Sequence, residues 1–407
     1  MATSGSMSER LQSIVTSIGS PVRHVLRTLF LALALLGCFH ALQEPTTVSR
    51  TEITLSVEPW SEAEGLFTRD IHWLGGDGAS SVDLGRQRIL WLFGDSFVNP
   101  GESRQRKEAV IIRNSVAIQK GSDPTQADIQ FYWAMDAETP APFFQSPQKG
   151  WYWPGGGIMV DGKLLIFLMV IHEALNDLGF EAVGWSAISI ENPHDAPPSW
   201  RKRVVPTPND SFGVIIGSGG VLYFDGYLYA FGVDPLSQEM HLVRWSFIAV
   251  HSGDLSDPHW WTGYSSGWIE QSSLQTKPPA VFSQARVEFT VHYEPYFGGF
   301  LHIQSSALMT PGMEMRFSPE LTGPWSAPRR FFRVPEADDP SLLIYAGKAH
   351  PALTGGHVIF TYAVNTLDEE RLLSDQRIYV PRLLKGTWRD SSTGPRGKGT
   401  SVHEPRL

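Results

Sequence analysis

The chain has 407 residues, 42 acidic and 33 basic side chains, and a formal net charge of -9 at pH 7. Its 38 glycines, 29 prolines and 14 tryptophans favour short strands and many turns over helices. The mild acidity argues against a nucleic-acid partner, and the single cysteine excludes a disulfide within the chain.

The first 50 residues are predicted to be a leader and linker. Arg10, Arg23 and Arg27 precede the apolar run TLFLALALLGC at 28–38, which has the length of a signal-peptide core and is short for a membrane span. The run ends at Cys38 in a context that resembles a bacterial lipobox, so a lipid anchor at Cys38, a plain signal peptide or a weak membrane anchor would each fit. All three predict a location outside the cytoplasm, extracellular or at the cell-envelope surface.

A glycine-rich entry strand, a tight turn and an apolar strand recur five times between residues 51 and 387. In GGGIMVDGKLLIFLMV (155–170) and GSGGVLYFDGYLYAFGV (217–233), Asp-Gly marks a two-residue hairpin turn. The hairpins start near residues 73, 155, 217, 288 and 348, and a period of roughly 60–80 residues is typical of a propeller with insertions. The sequence thus predicts an all-β, single-domain, five-bladed β-propeller over 51–387 and a disordered tail over 388–407.

Each repeat should also contain a third strand after its hairpin. The candidates are SVAIQ (115–119), WSAISI (185–190), LVRWSF (242–247), MEMRFS (313–318) and QRIYVP (376–381). Five such units packed radially can bury faces that one unit alone cannot. Because the first strands would crowd around the axis, small residues such as those in GGG and GSGG belong in them.

Three carboxylates occur in glycine-rich or apolar surroundings. Asp77 lies in the glycine-rich first strand of the first repeat, and Asp95 follows the next strand, in FGDSF. Glycoside cleavage needs two carboxyl groups, one acid and one base or nucleophile, and a hairpin can bring these two side by side, although Asp95 could instead cap a turn. Glu288, in ARVEFTVHY, is a third catalytic candidate if it faces the channel, and a surface residue if it faces solvent.

Four further residues are candidates for substrate binding. Arg113 and Asn114, in IIRNSVAI, could orient a carboxylate and donate to a sugar hydroxyl, or could form a strand-entry salt bridge. Trp153, in WYWPGGG, could stack on the C–H face of a sugar or pack at a blade junction. His350, in YAGKAHPAL, could bond a hydroxyl or lie in the core.

Other chemistries fit the sequence less well. No cluster of cysteine and histidine indicates a metal site, and no cofactor is expected, although an ion in the central channel stays open. Ser96 in FGDSF superficially resembles the GDS-type hydrolases, which instead need an α/β fold and a distant Asp-x-x-His. GSGG opens a strand rather than a helix, so it is not a phosphate loop.

Four motifs in the same order resemble a known family. They span roughly residues 65–385: GGDGASSVDLGRQRILWLFGDSF with RNSVAI, MRFSPELTGPWSAP, YAGKAHPAL, and IFTYAVNTL with IYVPRL. They are similar to the five-bladed propeller family catalogued as domain of unknown function 4185, which includes endo-D-arabinanases. The resemblance implies that Asp77 and Asp95 are the catalytic carboxylates, that His350 belongs to the site, and that the substrate is a D-arabinan-like furanoside polymer.

The sequence therefore predicts a secreted or surface-anchored glycoside hydrolase that acts as a monomer on a polysaccharide or oligosaccharide. A non-catalytic carbohydrate-binding propeller is the alternative, since one fold hosts many functions. The two hypotheses differ in whether Asp77 and Asp95 converge in one open pocket.

Overall fold

The computed structural model describes residues 53–390, except for 147–148, 177, 308–310 and 354–356. The expected leader and the lipid attachment site at Cys38 lie outside the described residues. The same holds for residues 391–407 of the expected tail and for the Gly-Gly pair at 355–356.

Strands dominate the described part of the chain, which confirms the all-β class. The first fourteen are β1 (Ile53–Pro59), β2 (Trp73–Gly76), β3 (Ser80–Asp83), β4 (Arg88–Phe93), β5 (Ser96–Val98), β6 (Val110–Ile112), β7 (Ser115–Lys120), β8 (Asp128–Tyr132), β9 (Ala134–Asp136), β10 (Thr139–Ala141), β11 (Trp151–Val160), β12 (Lys163–Glu173), β13 (Phe180–Ile190) and β14 (Lys202–Val205). The others are β15 (Ile215–Phe224), β16 (Tyr227–Asp234), β17 (Glu239–Ser246), β18 (His259–Trp261), β19 (Trp268–Glu270), β20 (Phe289–Glu294), β21 (Gly299–Ser305), β22 (Met313–Ser318), β23 (Arg329–Phe332), β24 (Leu342–Ala349), β25 (Val358–Thr366) and β26 (Arg382–Asp390).

Helices are short and connect the strands. Two are α-helices, α1 (Phe247–Ser252) and α2 (Glu369–Ser374). 3-10 helices of three to seven residues span Ser61–Phe67, Arg106–Glu108, Pro197–Ser199, Gln271–Ser273 and Pro335–Asp338. None of the helices in the described part combines the length and the hydropathy that a membrane crossing requires.

Five sheets of four or five strands follow one another along the chain. In strand order they are sheet 1 (β3-β4-β7-β8), sheet 2 (β11-β12-β13-β14), sheet 3 (β15-β16-β17-β18-β19), sheet 4 (β20-β21-β22-β23) and sheet 5 (β24-β25-β26-β1). Strand β1 completes the edge of sheet 5, so the two ends of the described chain share a sheet. A small sheet, β2-β5-β6, continues the strands of sheet 1 and is called the extension sheet below.

Each sheet packs its first strand against the first strand of the next. Contacts join β3 to β11, β11 to β15, β15 to β20, and β20 to β24. Sheet 5 in turn contacts sheet 1, where Ser81 Oγ and His350 Nδ1 are 2.8 Å apart and Lys348 Nζ donates to the carbonyl oxygen of Gly78. All five sheets therefore contact two neighbours each.

A separate apolar core fills each of these five junctions. The main members are Leu90, Leu92, Ile166 and Leu168 between sheets 1 and 2, and Phe167, Trp185, Ala230 and Trp245 between sheets 2 and 3. They are Phe231, Leu242, Phe289 and Phe300 between sheets 3 and 4, and Ile303, Met315, Phe360 and Val364 between sheets 4 and 5. Between sheets 5 and 1 they are Phe67, Trp91, Phe93 and Ile359. Burial of apolar surface at these junctions, at roughly 25 cal/mol per Å², is the main force that holds the sheets together.

Glycines allow the first strands to approach one another closely. A Cβ added at Gly155 of β11 would lie 2.6 Å from the carbonyl oxygen of Gly217, and one at Gly220 of β15 would lie 2.6 Å from Val291 Cβ. Such distances are too short for real side chains. The glycine-rich entry strands predicted from the sequence are thus a packing requirement.

Four of the five predicted hairpins are present. In the fifth repeat the entry strand is Leu342–Ala349, so it ends where the predicted hairpin begins, and the predicted third strand is wrong as well. Asp161-Gly162 and Asp225-Gly226 have positive φ at both residues, as a type I′ hairpin turn requires. Residues 376–381 form turns, and β26 begins only at Arg382. The strand runs to Asp390, past the expected start of the tail at 388, because Trp388 packs on Phe297 with ring centroids 4.5 Å apart.

We expect Gly155→Ala to lower the free energy of unfolding by about 1–3 kcal/mol, since the new methyl group would overlap the backbone of sheet 3. Gly184→Ala is the matched control, because a Cβ at this β13 glycine meets nothing within 4 Å. Urea unfolding of both variants measures the difference. Equal stability of the two variants would contradict the packing role of the glycine.

Candidate active site

Asp77 and Asp95 lie where the strands of sheet 1 pass into the extension sheet. The chain passes between sheet 1 and the extension sheet at three places, between β2 and β3, between β4 and β5, and between β6 and β7. There the amide of Gly94 donates to the carbonyl of Asp77 at 2.9 Å, and the amide of Asp77 approaches the carbonyl of Asp95 at 3.4 Å. The main chain therefore holds the two aspartates side by side, as the hairpin predicted.

The carboxylate of Asp77 is half-buried and bonded by two tyrosines. Its Oδ2 accepts hydrogen bonds from Tyr345 Oη at 2.7 Å and from Tyr379 Oη at 3.1 Å. Burial raises the pKa of Asp77 to about 7, and the negative charges of Glu288 and Asp95 act in the same direction. Near neutral pH this carboxyl group can therefore both release and accept a proton.

Asp95 is fixed by one cation and one indole. Its Oδ2 accepts from Arg113 Nη1 at 2.9 Å, and its Oδ1 accepts from Trp153 Nε1 at 2.8 Å. Burial raises the pKa of Asp95, while the charge of Arg113 and the indole N–H oppose that rise. Arg113 also lies over the ring of Trp151 at 4.1 Å, so its guanidinium group contacts both the indole ring and the carboxylate of Asp95.

Glu288 directly precedes β20 and faces the site. Its Oε1 lies 3.1 Å from Nζ of Lys348, whose side chain is 1% exposed. A Cβ on Gly78 would lie 3.8 Å from the same oxygen, so Glu288 reaches the segment that carries Asp77. The third acid expected from the sequence thus joins the other two, with a cation of its own.

The three carboxyl groups have distinct surroundings. Asp95 and Glu288 each have a cation within hydrogen-bonding distance, whereas Asp77 has only neutral donors and two acidic neighbours. Separated protonation preferences within one site are what acid–base chemistry requires. Within the described residues, no group of three His, Cys, Asp or Glu side chains is placed to hold a metal ion.

Two of the expected substrate-binding residues lie in the core instead. Asn114 is fully buried and bonds three backbone groups, those of Phe144 (both N–H and carbonyl) and Tyr152. His350 is 1% exposed, with Nδ1 near Ser81 Oγ and Nε2 2.7 Å from Thr361 Oγ1. Burial lowers the pKa of His350 to about 3. Neither side chain has a polar atom left for a ligand, which corrects the sequence-based expectation.

Trp153 lies at the site, although its indole N–H is used by Asp95. Its ring is partly exposed and meets Phe180 edge-on at 4.8 Å and Trp151 at 6.2 Å. Trp151, Trp153 and Phe180 form an aromatic cluster beside Asp95. Stacking of a sugar on Trp153 stays a prediction.

Sequence reasoning missed Tyr345, Lys348 and Tyr379, although it singled out YAGKAH. Contacts between sheets 5 and 1 run in step, from Tyr345 with Asp77 through Lys348 with Gly78 to His350 with Ser81. His350 therefore lies at the level of Ser81, four residues after Asp77 in the sequence, and not beside the acids. A lysine in an otherwise apolar strand was the available signal, because a buried cation needs a partner.

A family model described as domain of unknown function DUF5005 matches residues 61–382. The chain belongs to the DUF5005 family. The resemblance to domain of unknown function 4185 is therefore wrong, and the roles implied by it for Asp77, Asp95 and His350 lose that support.

Solved structures similar to the DUF5005 chain include a Bacteroides ovatus ATCC 8483 protein with a provisional hydrolase assignment. The identity is 16%, the alignment covers 85% of this chain and 96% of that one, and the TM-score of 0.66 shows a shared fold. A Coprinopsis cinerea GH62 α-L-arabinofuranosidase catalytic domain has 12% identity, coverage of 79% and 92%, and a TM-score of 0.44. A Bacillus halodurans C-125 xylan β-1,4-xylosidase has 10% identity, coverage of 82% and 60%, and a TM-score of 0.45. No curated protein matches the chain.

The raised pKa of Asp77 makes the stability of the DUF5005 chain pH-dependent. The folded state holds a proton that the unfolded state releases near pH 3.8, so stability falls as the pH rises from about 4 to about 7. We expect Asp77→Asn, which mimics the protonated form, to be more stable than the wild type at pH 8, on the order of 2 kcal/mol, and equal at pH 4. Urea unfolding at both pH values measures this. A gap of the same size at both would refute the assignment.

Proposed function

We propose that the protein is a glycoside hydrolase built as a five-bladed β-propeller, with the candidate active site at the axis. The observation that carries the proposal is the convergence of Asp77, Asp95 and Glu288, one of which is proton-bearing near neutral pH while the other two have cationic partners. Glycoside hydrolases cleave with a pair of carboxyl groups, one that donates a proton and one that acts as base or nucleophile, and this set can supply such a pair.

The propeller arrangement is supported by the order in which the sheets meet. Five consecutive sheets contact their neighbours through first strands, and sheet 5 contacts sheet 1 through Lys348 and His350. First strands that meet in this way surround an axis. The acids come from sheet 1 and from the start of sheet 4, which agrees with a site shared by several blades.

In this proposal Asp77 is the general acid. Its proton passes to the oxygen of the leaving group as the glycosidic bond breaks, and the two tyrosine hydroxyls then stabilise the carboxylate that remains. Glu288 acts on the opposite side of the glycosidic bond, either as the general base that activates water or as the nucleophile. Asp95, with both oxygens bonded, is a positioning residue whose charge keeps the pKa of Asp77 high.

The substrate is proposed only as a polysaccharide or oligosaccharide. The expectation of a D-arabinan depended on the family resemblance that the DUF5005 match overturns. A partly exposed aromatic cluster beside Asp95 supports a sugar ligand, because aromatic faces pack against the C–H face of sugar rings.

We also propose that the protein works outside the cytoplasm, while the monomeric state stays a prediction. The support is the basic segment followed by the apolar run at 28–38, with Cys38 as the candidate lipid attachment site. Detection of the mature N-terminus by mass spectrometry would distinguish a lipid-modified Cys38 from a plain signal-peptide cleavage.

We expect Asp77→Asn and Glu288→Gln to lower cleavage of the active substrate at least about 100-fold, because each removes a proton-transfer group. The assay is product analysis on arabinan, arabinogalactan and xylan, with folding checked by circular dichroism. Asp83→Asn is the matched control, since Asp83 is an exposed turn acid of the same hairpin that caps Gly85.

Full activity in both site variants would reject the proposed roles. Binding of a glycan without any cleavage by the wild type would favour the non-catalytic carbohydrate-binding propeller, for which the aromatic cluster of Trp151, Trp153 and Phe180 is the supporting observation.

We expect kcat/KM to decline above about pH 7, because Asp77 loses its proton there. Tyr345→Phe removes a hydrogen bond that favours the charged form, so the decline should move to higher pH by up to about one unit. Tyr362→Phe is the control, because that hydroxyl bonds Glu336 outside the site. An unchanged profile for Tyr345→Phe would exclude Asp77 as the titrating acid.

A further inference from the structure

A cavity of about 160 Å³ continues the candidate active site between sheets 4 and 5. Its walls include Arg286, Glu288, Ser305, Ser306, Tyr345 and Ala346. Glu288 and Tyr345 also belong to the acid cluster, so a ligand in the cavity would lie directly beside the proposed reaction centre. The volume admits several water molecules or part of one sugar residue.

A bulge in β24 shapes one wall of the cavity. The pairing of β24 with β25 shifts between Tyr345 and Lys348, and Ala346 within the bulge has a φ of 52°. Next to it, Gly347 presses on sheet 4, where its amide donates to Ser305 Oγ at 2.8 Å. Bulges and left-handed non-glycine residues cluster at functional sites because they re-aim side chains.

The side chain of Arg286 has no hydrogen-bond or ion-pair partner among the residues that the structure describes. Arg113 pairs with Asp95 and Lys348 pairs with Glu288, whereas Arg286 forms no ion pair with any described residue. Its Nε is buried and lacks a hydrogen-bond partner within the described part of the chain, and the same is true of Ser306 Oγ. An unmet buried polar atom costs about 1–3 kcal/mol, so a ligand that supplies acceptors would be favoured.

We propose that this cavity is a subsite for the carboxylate of an acidic sugar, a uronic acid residue of the glycan, bound by Arg286 and Ser306. The inference rests on the proposed glycoside hydrolase function. A hydroxyl group could satisfy the hydrogen bonds, but only an anion also balances the partly desolvated guanidinium charge. Lys348 already neutralises Glu288, so the incoming carboxylate does not face an unpaired negative charge.

The first test measures binding without cleavage. D-glucuronate and D-glucose are titrated separately into the full-length Asp77→Asn protein and followed by ligand-observed NMR. We expect glucuronate to bind at least about tenfold more tightly than glucose, and Arg286→Gln in the same background to abolish that preference. Arg330→Gln is the matched control, because Arg330 is an exposed arginine on β23 of sheet 4, whose first strand follows Arg286 in the sequence.

Equal affinity for the two sugars, or a preference that survives Arg286→Gln, would overturn the subsite. If Arg286→Gln does not fold, the charge preference of the parent protein and its retention in Arg286→Lys decide the question.

Cleavage separates this inference from the proposed function. Glucuronate binding through Arg286 in a protein that cleaves no glycan would leave the subsite standing and reject the hydrolase. Cleavage of neutral glycans with no preference for uronate-bearing ones, and with Arg286→Gln as active as the wild type, would reject the subsite alone.

Discussion

Backbone-to-backbone contact between the first strands is the constraint on which the structure depends. Where Gly155 meets Gly217 and Gly220 meets Val291, no side chain fits, so the sheets approach more closely than ordinary packing allows. Between sheets 5 and 1 the contact is made by long side chains, since Tyr345 and Lys348 reach the segment that holds Asp77. The glycine runs thus pack the first strands of sheets 2, 3 and 4 together, and residues from or next to sheets 1, 2, 4 and 5 meet in one site.

The electrostatics of the site follow from how unevenly partners are distributed. Arg113 and Lys348 each satisfy one carboxylate, and the third, Asp77, receives only tyrosine hydroxyls. Burial raises the pKa of Asp77 to about 7, and the negative charges of Glu288 and Asp95 act in the same direction. Arg286 lies two residues before Glu288 in the sequence and adds a cation to the wall of the adjoining cavity.

The sequence allowed the all-β class, four of the five hairpin positions and the three acids to be predicted, because glycine runs, Asp-Gly turns and acids in apolar strands are local signals. It did not allow Asn114 and His350 to be placed, since their bonds to Phe144 and Thr361 depend on neighbouring segments. Tyr379 was equally hidden: its residue range reads as a strand, but forms a turn that points the hydroxyl at Asp77. Long-range register, rather than composition, decides such cases.

The shared sheet of β1 and β26 has a consequence for biosynthesis. Sheet 5 supplies Tyr345 and Lys348, and its edge strand begins at residue 53 while its neighbour ends at residue 390. Sheet 5 cannot be completed until nearly the whole chain has left the ribosome, and joining such distant segments carries a loop-closure entropy. The edge of the sheet that supplies Tyr345 and Lys348 therefore stays open on a nascent chain until synthesis is almost finished.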